Sequence, residues 1–245
     1  MEGMIVHRGG EIVTKDQLDL IRIPETTDSY VPVSHYHLAD KLLSLSTGIL
    51  RDYVLVGESY AIARQGNQMF AVLKFKREES DIGLSIAFRN SYDRSMALGI
   101  AMGATVFVCD NLALYGDIVV MRKHTKNVWN ELEDTAIATL YKSQRNFEQI
   151  CADAALLKKQ RLPKDEAFRF MGMLLGYNII SLRQFPVVKK EWLRPSHPEF
   201  EERTMWSFFN AATESLKTCP PVTIMEKHAQ AYNLLVKGVP PAGLA

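Results

Sequence analysis

The run His35-Tyr36-His37, followed by Asp40, has the residue types of a metal half-site. On a helix, however, positions i and i+2 point to different faces, so the two histidines would not share one ion. No second His or Cys cluster lies at ligand spacing, and no metal site is assigned. Cys109 and His124 would form a thiolate–imidazole pair if strands expected at Thr105–Cys109 and Ile118–Met121 are neighbours, and a cysteine beside a base is a usable nucleophile. The competing reading makes Cys109 a small buried hydrophobe ending a Val-Phe-Val strand. Phosphate loops and hydrolase signatures (GxxxxGK[ST], GxGxxG after a strand, HExxH, GxSxG) are absent from the sequence. The chain therefore reads as a non-enzyme, with no catalytic residue and no cofactor assigned. An enzyme drawing Cys109, His124, Asp93 and Asn111 into one pocket is kept as an alternative.

Basic residues gather locally in a chain whose net charge is only +1. Between Arg122 and Lys164 stand nine Lys/Arg against five Asp/Glu. Lys74, Lys76, Arg77, Arg89 and Arg94 form a second group beside Phe75, Phe88 and Tyr92. Cations that track a backbone, interleaved with aromatics that stack on bases, are what single-strand binding uses. The expected contact set is Lys74, Lys76, Arg89, Tyr92, Arg94, Lys123, His124 and Lys126. The plainer account is that strand positions facing water are polar and that helix ends collect cations for the dipole.

These residues need elements to hold them. Residues 1–33 are turn-rich and read as an irregular arm with one short strand. Ser34 suits the cap of a helix beginning near His35, with Leu38, Leu42, Leu43 and Leu45 as its apolar stripe. Tyr53–Ala63, Met69–Lys76 and Ile82–Arg89 read as strands, the first two joined at the Gly66-Asn67 turn. The small-residue segment Ser95–Gly103 is expected to be a short helix covering the sheet, before the two further strands named above. From Asn127, apolar positions Trp129, Leu132, Ala136, Leu140, Phe147, Ile150, Ala154 and Leu157 recur at helical spacing, predicting one helix of some thirty residues. Further helices are expected at Lys164–Gly176, Glu201–Lys217 and Thr223–Val236, with Pro186, Pro195 and Pro198 punctuating a loop.

The fold expected is α+β: an antiparallel sheet of about five strands packed by helices, with a long helix and a helical C-terminal half. Its parts are an arm (1–33), an antiparallel core (34–126), a helical region (127–237) and a loose tail (238–245). The 245 residues, 47% hydrophobic and 23% charged, can bury a sizeable core. Three widely spaced cysteines argue for a reducing compartment. With no basic-then-apolar leader and no stretch long enough to span a bilayer, the expectation is a cytoplasmic protein without a membrane partner.

The middle of the chain carries a signature. Asn90-Ser91-Tyr92-Asp93-Arg94-Ser95 resembles the Asn-Ser-His-Asp-Gly-Ser stretch of the prokaryotic domain-of-unknown-function family 932, the phage/plasmid-like proteins. Val108-Cys109-Asp110-Asn111 looks like that family's Val-Cys-x-Asn, and Lys123-His124-Thr125 is similar to its Arg-His-Thr before a long helix. Trp206 with Asn210-Ala211-Ala212-Thr213-Glu214 looks like its Trp…Asn-Ala-x-Thr-Glu. Tyr92 stands where the family has His, and Arg94 where it has Gly, so a mechanism resting on that histidine does not transfer. The resemblance implies a gene of phages, plasmids or other mobile elements and no known activity. Capping alone also explains these residue types: Asn90, Ser91, Asp93 and Ser95 suit a turn, Asn111 a strand end, Thr125 a helix start.

Together these readings favour a mobile-element protein that binds single-stranded nucleic acid, as a binding or annealing factor working as a homo-oligomer. A non-enzymatic interaction, anti-defence or replication accessory factor is the alternative. The nucleic-acid reading expects the three central polar stretches to meet at one cation-edged rim of the sheet.

Overall fold

The computed structural model describes residues 10–77, 82–106, 111–114, 120–122, 128–220 and 222–241. Cys109, Lys123, His124, Thr125 and Lys126 lie outside them. The order of elements is β1 (Glu11–Val13), α1 (Lys15–Asp19), α2 (His35–Ile49), β2 (Val54–Ala63), β3 (Gln68–Lys76), β4 (Ile82–Ser91) and β5 (Leu98–Val106). There follow β6 (Asn111–Leu114), β7 (Val120–Arg122), α3 (Val128–Lys159), α4 (Lys164–Gly176), α5 (Phe185–Leu193), a short 3-10 turn at Pro198–Phe200, α6 (Met205–Leu216) and α7 (Ile224–Val236). The class is α+β, with the helices concentrated in the C-terminal half as the periodicity predicts.

Seven strands form one antiparallel sheet in the order β1-β2-β3-β4-β5-β6, with β7 also paired to β5. Strand β5 is divided along its outer edge: Leu98–Ile100 meet β7 and Gly103–Val106 meet β6. The expected covering helix at Ser95–Gly103 is therefore wrong, because most of that segment is strand β5. Ile100, Met102, Ala104 and Val106 alternate with Gly99, Ala101, Gly103 and Thr105, a period of two that the Gly and Ala content disguises. Two helices were also missed. Helix α1 is set by a capping box between Thr14 and Gln17. Helix α5 has Pro186 in its first turn, where a missing N–H costs nothing, so that proline starts a helix instead of punctuating a loop.

The ladder register sorts the strand residues onto two faces. Asn90, Phe88, Ile86 and Leu84 share a face with Met69, Ala71, Leu73 and Phe75. Helix α2 reaches this face through His35, which bonds Asn90, and α3 packs against both α2 and β5. On the other face, Gly83, Ser85, Ala87 and Arg89 lie opposite Gly103, Ala101 and Gly99, a surface of small side chains under α7 and α6. Both faces are thus covered, which is why β3, β4 and β5 are buried almost throughout. One hydrophobic core runs from Val33 and Leu38 through the sheet to Phe208, Phe209 and Leu235.

Two polar links tie the layers. Arg89, only 5% exposed, makes a fork to Glu226 of α7: Nη2 donates to Oε1 (2.7 Å) and Nη1 to Oε2 (2.9 Å), while Nη1 also donates to the Val222 carbonyl (2.5 Å). Asp153 of α3 accepts from Lys237 Nζ (2.7 Å), Gln149 Nε2 (2.8 Å) and the Tyr232 hydroxyl. Burial alone would raise the Asp153 carboxyl, but these donors outweigh it and hold its pKa below the ordinary value.

Removing Glu226 strands a buried guanidinium, so Glu226→Ala is expected to lower unfolding stability by about 3 kcal/mol. Asp40→Ala, which breaks the exposed Lys15–Asp40 pair, should cost less than about 1 kcal/mol. Urea melts of the two variants check the contrast. Because the folded-state pKa of Asp153 is depressed, its contribution is present above the unfolded carboxylate range and lost as pH falls through the folded value. The stability gap between wild type and Asp153→Asn is therefore expected to be full at pH 7 and to close below about pH 4.

Candidate functional site

The Asn90–Ser95 signature begins in the last two residues of β4 and forms the turn into β5. It lies beside the β2–β3 hairpin turn and the entry to α2. Three consecutive hairpin residues, Arg64, Gln65 and Gly66, have positive φ (51°, 58° and 84°). At Gly66 a Cβ would sit 2.9 Å from Ile21 Cγ2, so the turn admits no side chain there. The Gly66 carbonyl accepts from His35 Nε2 (3.0 Å), which leaves His35 Nδ1 to accept from Asn90 Nδ2 (2.9 Å). That amide also donates to the Val33 carbonyl (2.6 Å). The partners thus define a neutral His35 with its proton on Nε2. Both ring nitrogens of His35 are engaged, and its ring stacks on Tyr92 at 3.9 Å and 15°.

The rest of the signature is similarly committed. The Tyr92 hydroxyl accepts from the His35 backbone N–H (2.9 Å), and the Tyr92 N–H donates to the Asn67 carbonyl (2.7 Å). Ser91 Oγ donates to the Met96 carbonyl (2.9 Å) and accepts from its N–H (3.3 Å), closing the turn. Asp93 Oδ1 accepts from the Ser95 N–H (3.0 Å), and Gln68 Nε2 donates to Asp93 Oδ2 (3.2 Å) and Ser95 Oγ (2.7 Å). Burial would raise the Asp93 carboxyl, but the Ser95 and Gln68 donors with the Arg64 guanidinium hold it below its ordinary value. Burial pushes the Tyr92 and Tyr30 hydroxyls up, keeping both neutral. Tyr30 Oη donates to the Ser91 and Tyr92 carbonyls (both 3.3 Å).

Arg94 occupies the position where the family pattern has Gly, and its φ of +59° supplies the reason: the backbone there is left-handed. For a residue with a Cβ that conformation costs roughly 1–2 kcal/mol. The guanidinium over the Tyr30 ring, 4.3 Å from its centroid, offsets part of this. Arg94 is exposed, as is Arg64, whose guanidinium lies 4.0 Å from Asp93. Around the first turn of α2, a cleft of about 420 Å³ opens between α2 and α3, lined by His37, Asp40, Lys41, Ser44, Trp129 and Glu133. Each carboxylate there is bound to a lysine, Asp40 to Lys15 (2.7 Å) and Glu133 to Lys41 (2.8 Å).

The expected contact residues do not converge. Lys74 is 6% exposed and lies on the face under α6 and α7. Arg89 is consumed by Glu226 and Tyr92 by His35, so none of these three is offered to a ligand in solvent. Lys76 is exposed but sits at the opposite end of β3 from Gln68, about 26 Å from the signature at 3.3 Å per residue. Of the three polar stretches expected on one rim, the third is misplaced in the expectation. Asn111 pairs with Val106, whereas Arg122, which precedes Lys123, pairs with Leu98 beside the signature. Trp206, Asn210 and Thr213 are buried on α6, where Asn210 and Thr213 bond carbonyls of their own helix. Sequence reasoning missed Tyr30, Arg64, Gln68 and Trp129. Arg64 alone carried a signal, a cation two residues before a turn glycine.

Among the described residues no group of three His, Cys, Asp or Glu could hold a metal ion. Burial pushes the Cys151 and Cys219 thiols up, so neither is an activated nucleophile. What this end of the molecule presents is two exposed guanidinium groups on a turn fixed from beneath, beside a cleft with a half-buried indole.

Asn90→Ala leaves the Val33 carbonyl and His35 without this donor and is expected to cost about 2–4 kcal/mol in a chemical melt. Asp93→Asn removes a carboxylate whose pKa folding depresses. Wild type should therefore exceed it in stability at pH 7, and the difference should disappear below about pH 4.

No curated protein and no solved structure matches the chain. A family model described as a domain of unknown function, DUF932, matches residues 26–231, from just before Tyr30 to the middle of α7. The chain belongs to that family.

Proposed function

We propose that this protein binds single-stranded nucleic acid along the hairpin end of its sheet, with Arg64 and Arg94 taking phosphates and Trp129 in the adjoining cleft taking a base. The observation that carries the reading is the pair of exposed guanidinium groups held on left-handed turn residues, where a rigid network aims them outward. Planar guanidinium groups match phosphate oxygens in pairs, and an indole offers a stacking face to any base. Lys41 and His37 line the same cleft. Lys123 and Lys126 follow from β7, whose last residue, Arg122, is in register with this end of β5. The likeness to phage and plasmid proteins supports a binding or annealing role on a mobile element. Cooperative binding along a strand supports a homo-oligomer. The strand-face cations Lys74 and Arg89 take no part.

A membrane role has no support among the described residues, where no helix is long and apolar enough to cross a bilayer.

Glycine fits both left-handed positions, so an Arg64→Gly/Arg94→Gly double variant removes two charges while relieving the backbone. Labelled oligo(dT) titrated in a salt series is expected to bind wild type with a clear slope. The double variant should lose about 1.4 of that slope, roughly 0.7 for each phosphate contact. Trp192 and Trp206 are buried, so the fluorescence quenching on binding is assigned to Trp129 and should vanish in Trp129→Phe. No binding at low salt, binding without a salt slope, or an unchanged slope in the double variant overturns the reading.

A further inference from the structure

The largest concave surface among the described residues is far from the signature in sequence. It is a groove of about 830 Å³ between the α4–α5 connection and the α6–α7 connection. Its floor is aliphatic: Leu175, Ile179, Ile180 and Val187, closed by Cys219 and Pro220. Its walls are built into the fold. Gln184, 8% exposed, spends its whole amide on joining them: Nε2 donates to the Ser215 carbonyl (3.0 Å) and Thr218 Oγ1 (3.1 Å), and Oε1 accepts from the Ser181 N–H (2.8 Å). The groove is therefore preformed.

Three features narrow what it takes. Leu182 stands at the lip with 77% of its surface exposed, a large apolar side chain with no place in the core. The described lining carries two cations, Arg183 and Lys227, and no carboxylate. It also carries no Phe, Tyr or Trp, so it offers no platform on which a base could stack. An aliphatic floor edged only by positive charge is complementary to apolar side chains flanked by carboxylates.

We propose that this groove docks an acidic amphipathic segment of a partner protein, its apolar side chains on the Ile179–Ile180 floor and against Leu182, its carboxylates on Arg183 and Lys227. Leu182 acts as a knob beside the hole, the arrangement in which a few anchors carry most of an interface. Arg183 makes no hydrogen bond or ion pair with a described residue, so it meets a carboxylate without first breaking a bond. The Lys227 ammonium donates to the Asn178 carbonyl, which fixes it at the groove edge.

The test uses the full chain and a fluorescein-labelled peptide of roughly 14 residues, about four helical turns, with Leu and Glu at amphipathic spacing. Its twin has Lys in place of every Glu. Fluorescence anisotropy is expected to give the acidic peptide at least about tenfold tighter binding than its twin. Leu182→Asp and Arg183→Glu should each weaken the acidic peptide at least about fivefold. Both residues are exposed, and thermal melts of the variants verify that the fold is kept. Equal binding of the two peptides overturns the proposal, as does unchanged binding in both variants. It also fails if Arg183→Glu lowers oligo(dT) binding as much as the Arg64→Gly/Arg94→Gly pair does, because the groove is then a nucleic-acid surface.

Discussion

The side-chain amide of Asn90 is the contact on which the arrangement of this protein most depends. From the end of β4 it bonds the Val33 carbonyl and His35 Nδ1, joining the sheet to the arm and to the first residue of α2. His35 in turn bonds the Gly66 carbonyl, which draws in the β2–β3 turn. One amide and one imidazole, both fully buried, thereby bring together three segments distant in sequence. A buried polar pair is costly unless every donor and acceptor is used. Here the tautomer of His35 is dictated by its partners, and the geometry has no alternative. The helix layers on both faces then follow, because α2 is anchored where it must start.

This arrangement explains why the signature is polar without being open. Asn90, Ser91 and Tyr92 are consumed by the fold, and their outward product is a turn that carries Arg64 and Arg94 clear of the surface. The two substitutions in the signature become intelligible in the same terms. Tyr92 brings a ring that stacks on His35 and a hydroxyl that caps the α2 entry. Arg94 accepts a left-handed backbone in exchange for a charge placed on the Tyr30 ring. The groove between the α4–α5 and α6–α7 connections is the counterpart at another place: aliphatic, edged by cations, and held open by Gln184.

Much of the fold was legible in the sequence. Ser34 caps α2, Gly66 turns the hairpin, and the three- and four-residue steps from Trp129 to Leu157 mark α3. The failure at Ser95–Gly103 has a physical cause. A strand buried on both faces needs no polar alternation, and its Gly, Ala and Met residues have been chosen by the helices above and below it. The site was less legible than the fold. Lys74 and Arg89 have the sequence look of solvent-facing strand cations, yet their burial is decided by helices α6 and α7, more than a hundred residues away. Asn111 and the Arg122 end of β7 both pair with β5, and only the register reveals that they pair with its opposite ends.

Cross-linking tests the central claim most directly: that the turns fixed by Asn90 and His35, with the cleft beside them, form the surface that receives a nucleic-acid strand. Oligo(dT) bound to the protein is irradiated with ultraviolet light and the attached peptides are sequenced by mass spectrometry. The account predicts adducts on peptides containing Arg64–Asn67, Asp93–Ser95 and Trp129. Adducts confined to the α4–α7 half of the chain, or none at all under conditions where the strand is bound, would contradict it.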